Sequence, residues 1–96
     1  MIGINQKGSI TMRTFDYTIK DELGIHARPA GMLAKTAKAL DSTITIQKGD
    51  KSAGASKLMA LMGMGVKCGD TITVTIEGGN EEASEAAMKE FLSKNL

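Results

Sequence analysis

Apolar and polar residues alternate at a period of two in three stretches: Phe15, Tyr17 and Ile19; Ile44 and Ile46; and Ile72, Val74 and Ile76, the last interleaved with Thr71, Thr73 and Thr75. Successive side chains of a strand point to opposite faces, so each stretch reads as a half-buried strand. Between the first and second the spacing becomes helical. Pro29, Met32, Leu33, Thr36, Ala37 and Leu40 form one face able to cover the apolar side of a sheet. Gly49-Asp50 is a turn signal and predicts a hairpin that pairs 42–48 with a short, weak strand over 51–54. A short helix over 58–64 follows. A last helix over 81–94 is expected to turn Ala83, Ala87, Met88, Phe91 and Leu92 inward, with a solvated charged face. Asn80 is its N-cap, and Glu81 and Glu82 sit favourably against the helix dipole. The order β-α-β-β-α-β-α predicts an α+β domain with an antiparallel sheet and all helices on one face.

Length and charge narrow the function. Ninety-six residues make one small domain with room for a single core and a single site. A net charge of +1 and the absence of tryptophan leave neither a basic footprint nor an aromatic platform, so nucleic acid is not an expected partner. The lone Cys68 has no partner for an internal disulfide and reads as incidental in a reducing compartment. No stretch is long and apolar enough to span a bilayer and no secretory pattern opens the chain, so a cytoplasmic location without membrane insertion is expected. Residues 1–12 read as an N-terminal extension or leader, resting on its own sheet or on a neighbouring molecule, ahead of a domain spanning 13–96.

The candidate chemistry lies at the junction of the first strand and first helix, where the only histidine, His26, and the only proline, Pro29, stand three residues apart. A helix start leaves amide N–H groups unpaired and carries the positive end of the helix dipole, so it stabilises an anion. Gly24 permits the preceding turn, and Pro29 fits the first helical turn, where its missing N–H costs nothing. A neutral imidazole is a nucleophile, and Arg28, two residues on, offers planar donors for a phosphate. No spacing suggests a metal site or an acyl-transfer triad. One side chain has to carry the chemistry.

The short helix adds a second feature. Leu58, Met59, Leu61, Met62, Met64 and Val66 are more apolar side chains than two turns can direct at one core. Met64 is expected to fill the core, and Leu58, Met59 and Met62 to form a partner surface of flexible, polarisable groups.

The run Gly24-Ile25-His26-Ala27-Arg28-Pro29-Ala30, together with Lys51-Ser52-Ala53-Gly54-Ala55-Ser56-Lys57-Leu58-Met59 and the stretch 65–78, resembles the HPr family. These are the histidine-containing phosphocarriers of the bacterial phosphoenolpyruvate-dependent sugar phosphotransferase system (PTS). The resemblance covers residues 13–96 without gaps. It implies an open-faced β-sandwich, with sheet order one-four-two-three and three helices on one face. It implies that His26 accepts a phosphoryl group at Nδ1 from enzyme I and donates it to enzyme IIA domains of sugar permeases, as a relay rather than an independent catalyst. Arg28 would stabilise the phosphate, supported by Gly24, Ala27 and Pro29. Leu58, Met59, Met62 and Lys57 would meet partners, transcriptional regulators among them. No metal or other cofactor is implied, and a monomer is the expected state. Nitrogen- or dihydroxyacetone-linked branches, or a regulatory binding module, are the alternatives.

Two positions depart from relatives. Lys57 stands where relatives controlled by a serine kinase carry the regulatory serine, with Ser56 one residue earlier, which puts that control in doubt. Leu23 replaces a Ser or Asn and removes a hydrogen-bonding side chain near the imidazole.

Overall fold

The computed structural model describes residues 12–96; the proposed leader, apart from Met12, lies outside the described residues, and so do its expected contacts. The elements run β1 (Met12–Thr18), α1 (Ala27–Ala39), β2 (Thr43–Lys48), β3 (Lys51–Gly54), α2 (Leu58–Gly63), β4 (Thr71–Glu77) and α3 (Glu81–Asn95). The four strands form one antiparallel sheet in the order β1-β4-β2-β3, the expected one-four-two-three arrangement.

Register divides the sheet into an apolar and a polar face. Tyr17 pairs with Ile72, Phe15 with Val74 and Ile76 with Ile44, while Thr14, Thr75 and Thr45 line up on the opposite face. Ile44, Ile46, Ile72, Val74 and Ile76 are buried with Leu33, Leu61, Met88 and Leu92 from the helices. Phe15 and Tyr17 are only partly buried, as befits an edge strand, and Ile19 reaches the core just past the end of β1. The polar face stays open, with Thr73 Oγ1 donating to Asp16 Oδ1 at 2.7 Å.

α3 docks along β1. The Tyr17 hydroxyl donates to the Leu92 carbonyl at 3.0 Å, Lys89 Nζ lies 5.2 Å from the centre of the Phe15 ring, and Arg13 Nη1 reaches Glu85 Oε1 at 2.7 Å. The Arg13 hydrogen bond holds the Glu85 carboxyl below its ordinary pKa.

Three expected positions need correction. Ala83 is exposed, and Ser84 takes the inward place on the stripe with Met88, Phe91 and Leu92. The hydroxyl of Ser84 is satisfied there by Ser42 Oγ at 2.8 Å, so the polar group costs little to bury. Glu81 is not on a solvated face but buried, its carboxylate accepting the Gly78 amide at 2.6 Å. Asn80 caps the helix as expected, accepting from the Ala83 amide at 3.2 Å. In α1 the inward face is Pro29, Ala30, Leu33, Ala34 and Ala37, and Met32 is exposed. Small alanines suit a face packed against its neighbours, and the long Met32 side chain lies off that face.

The loop that carries His26 is gripped at both ends by residues 65–70. Ile19 exchanges backbone hydrogen bonds with Asp70 and Gly69 at 2.9 and 2.8 Å, and the Ile25 amide donates to the Val66 carbonyl at 3.1 Å. Gly24 (φ +68°) lies flat on this segment: a Cβ there would collide with the Val66 carbonyl and stand 2.6 Å from Lys67 Cα. Only glycine fits. The gripping loop is itself fixed by Asp70, whose Oδ2 accepts from the Lys67 amide and from Lys48 Nζ, each at 2.8 Å, while Lys48 Nζ also reaches the Gly65 carbonyl at 3.3 Å. The Lys48 hydrogen bond, then that of the Lys67 amide, lowers the Asp70 pKa.

Three outcomes follow in denaturation experiments. Leu92→Ala is expected to lower the unfolding free energy by about 2–5 kcal/mol, and Ala83→Ser by less than about 0.5 kcal/mol; equal losses would contradict the assigned face of α3. Gly24→Ala is expected to cost at least about 1–3 kcal/mol from its backbone conformation alone, and a neutral result in urea would show that the close approach is dispensable. Because the folded Asp70 carboxyl is more acidic than the unfolded one, its stabilisation is present above the unfolded pKa and disappears as pH falls through the folded value. Asp70→Asn should therefore flatten part of the acid limb of the stability curve, and an unchanged limb would contradict the role given to Lys48.

Candidate functional site

His26 is the N-cap of α1. Its backbone is extended (φ −119°, ψ −177°), its carbonyl accepts the Ala30 amide at 2.9 Å, and its side chain makes no capping hydrogen bond. A capping side chain would be occupied by the helix amides; this ring is free of that duty. Pro29, the third residue of α1, has no N–H, and the Ala30 amide is already bonded. The amides of Ala27 and Arg28 are therefore the helix N–H groups left without partners among the described residues.

The imidazole is neither sealed in nor fully solvated: its side chain is 35% exposed. It opens on a pocket of about 250 Å³ whose lining includes Asp21, His26, Arg28, Pro29, Met32 and Lys94. Arg28 is exposed and lines the same pocket, with no hydrogen bond or ion pair among the described residues, so its guanidinium is available. Lys94, from the end of α3, brings a second cation to the rim; its closest acidic neighbour is Glu90 Oε2 at 3.8 Å. His26 Nε2 faces Asp21 Oδ1 at 4.0 Å. Arg28 and Lys94 line an open pocket with the His26 ring, and the Asp21 carboxylate stands on the ring's Nε2 side. The amides of Ala27 and Arg28 lie at the helix start next to the ring, completing a set able to hold a small anion without enclosing it.

Asp21 and Lys94 carry no local signal of their place here. Asp21 reads as one polar residue in a turn, and Lys94 as part of the solvated face of α3. The connection between them is tertiary: the amides of Lys20 and Asp21 donate to the Leu96 carbonyl at 2.6 and 2.8 Å, bringing the end of α3 against the histidine loop. Leu23, expected only to lack a hydrogen-bonding side chain, is exposed, and its amide donates to Asp21 Oδ1 at 2.9 Å.

α2 divides its apolar residues. Leu61 is buried, as are Met64 and Val66 just beyond the helix, while Leu58, Met59 and Met62 are exposed, Met59 most of all at 78%. Lys57 is the N-cap of α2, exposed and without a side-chain cap, and Ser56 beside it is half-buried. A groove of about 750 Å³ between α1 and α2 is lined by Lys35, Lys38, Lys57, Leu58 and Met59, among others. Cys68 is exposed in the loop before β4, its thiol 3.7 Å from the Lys20 carbonyl. Among the described residues there is no cluster of His, Cys, Asp and Glu able to hold a metal, and no helix is long and apolar enough to cross a membrane.

Comparison with known proteins agrees with this geometry. Residues 13–94 match the family model described as the PTS HPr component phosphorylation site. The phosphocarrier protein HPr of Mycoplasma genitalium is 39% identical over 85 residues, covering 88% of this chain and 97% of that protein. That of Mycoplasma capricolum is 37% identical over 81 residues, covering 84% and 91%. Among solved structures, a Mycoplasma histidine-containing phosphocarrier protein has a TM-score of 0.82 at 34% identity, over 85% of this chain and 93% of that one. HPr-C-His from Thermoanaerobacter tengcongensis has a TM-score of 0.80 at 30% identity, over 85% and 92%. With its four-stranded open-faced sheet and its histidine at the start of α1, the chain belongs to the HPr family of phosphocarrier proteins.

Proposed function

We propose that this phosphocarrier accepts a phosphoryl group from phosphorylated enzyme I on His26 and passes it to enzyme IIA domains of sugar permeases, as a relay with no catalysis of its own. The observation that carries the reading is a half-exposed imidazole at a helix N-cap that does no capping, beside the amides of Ala27 and Arg28, which have no partner among the described residues. In the transfer, the Nδ1 lone pair forms a bond to phosphorus as the donor's P–N bond breaks and its electron pair returns to the donor ring. The phosphoryl oxygens then face the N-terminus of α1, and the Arg28 guanidinium stabilises their charge. Gly24 and Pro29 set the position of this helix start, and Ala27 supplies one of the two amides.

A carrier has to release what it binds. Interactions that hold the phosphorylated state too tightly would lower its transfer potential, so a half-open pocket with exposed cations suits donation better than an enclosed cage. Leu58, Met59, Met62 and Lys57 form the surface on which enzyme I, the IIA domains and transcriptional regulators dock in turn. Lys57 offers no hydroxyl where relatives carry a regulatory serine, so serine phosphorylation does not control this chain at that position. The carrier domain spans 13–96, acts as a monomer and works in the cytoplasm.

Incubation with enzyme I and labelled phosphoenolpyruvate is expected to give an acid-labile, base-stable label that His26→Ala abolishes. A native protein that takes no label would leave a binding module in its place. Arg28→Ala should slow labelling about 10- to 100-fold, the equivalent of one charged hydrogen bond of about 1.5–3 kcal/mol. An unchanged rate would remove Arg28 from the reaction.

A further inference from the structure

We infer that Asp21 is the positioning residue of the His26 ring: its carboxylate faces Nε2 and keeps the ring proton there, leaving Nδ1 bare for phosphorus. The inference rests on the phosphocarrier reading and assigns a role to a residue outside the Gly24–Ala30 run.

Asp21 is held on several sides. Its amide donates to the Leu96 carbonyl at 2.8 Å, its carbonyl accepts the Gly24 amide at 2.9 Å, and its Oδ1 accepts the Leu23 amide at 2.9 Å. The side chain is thus tied into the turn before His26, with Oδ1 4.0 Å from Nε2. That distance exceeds a hydrogen bond, so the carboxylate acts on the ring as a fixed neighbouring charge. Of the charged groups lining the pocket, Arg28 from α1 and Lys94 from α3 are cationic, and Asp21 is the one anion. Leu23 has no polar side chain to offer the ring, so the carboxylate two residues earlier is the partner at hand.

Charge supplies the reason for such a partner. A neutral imidazole carries its proton on one nitrogen, and the nitrogen facing a carboxylate is the one that keeps it. When Nδ1 forms its bond to phosphorus, Nε2 retains its proton and the ring acquires a formal positive charge. A carboxylate beyond Nε2 stabilises that charge from the side opposite the phosphoryl group, where it repels the phosphate oxygens least. Asp21 therefore acts through the ring and not on the substrate.

The test uses Asp21→Asn, which keeps an oxygen for the Leu23 amide but removes the charge, Asp21→Ala, which removes both, and Asp21→Glu as the conservative rescue. Long-range ¹H–¹⁵N spectra of the unphosphorylated protein should show His26 with its proton on Nε2 in the native chain. In Asp21→Ala they should show a mixture with the Nδ1–H form, and labelling by phosphorylated enzyme I should slow about tenfold, the scale of a charge interaction at this range in a partly solvated site. Asp21→Asn should fall between, and Asp21→Glu should recover most of the rate. Unchanged tautomer populations and labelling rates in folded Asp21→Ala and Asp21→Asn would overturn the inference. A native protein that takes no label would instead defeat the phosphocarrier reading, and the spectra would still decide whether Asp21 sets the tautomer.

Discussion

The contact on which the site depends is between two backbones: Gly24 lying against Val66 and Lys67 while the Ile25 amide donates to the Val66 carbonyl at 3.1 Å. Without a Cβ the chain passes close enough to bury Ile25 in the core, and the next residue emerges extended as the N-cap of α1. The main-chain contact thus places the Cα of His26 and the start of α1, and the ring carried there has Asp21 Oδ1 4.0 Å from its Nε2. Asp70 and Lys48 lock the other side of that contact, so a polar cluster on the far edge of the loop helps to place the nucleophile.

The same loop joins the reactive ring to the exposed apolar residues of α2. Met64 and Val66 anchor its first part in the core, and Gly69 and Asp70 close it onto Ile19. α2 and the start of α1 are therefore mounted on one support, which places the exposed Leu58, Met59 and Met62 on the same frame as the histidine loop. Precision of this kind comes from burial behind the site, while the side chains in front of it, Arg28 and Lys94, remain exposed. Rigid backbone support with exposed cations is the arrangement that the proposed transfer calls for.

Much of this was legible along the chain. The period-two pattern of Phe15 and Tyr17, of Ile44 and Ile46 and of Ile72 to Ile76 marks the strands because each has one face in the core. The Gly24–Pro29 run marks the helix start because its glycine and proline are needed by the backbone itself. Helix faces were less legible where residues are small. Ala83 and Ser84 differ little in apolar character, and burial fell to Ser84 because Ser42 was there to satisfy its hydroxyl. Met32 reads as core by spacing, yet alanines occupy the buried side of α1 and the methionine is exposed, lining the same pocket as His26. Glu81 reads as a dipole partner in solvent, and its burial depends on the Gly78 amide in the preceding turn. Asp21 and Lys94 could not be found from spacing, because only the docking of the end of α3 against the histidine loop brings them together.

The central claim is that the amides of Ala27 and Arg28 at the start of α1 receive the phosphoryl group proposed for His26. It is tested most directly by following the amide proton shifts of Ala27 and Arg28 while the protein is phosphorylated. Both are expected to move strongly downfield as they begin to donate to phosphate oxygens, with residues on the open face of the sheet unmoved. Phosphorylation of His26 that leaves these two amides where they were would contradict the account.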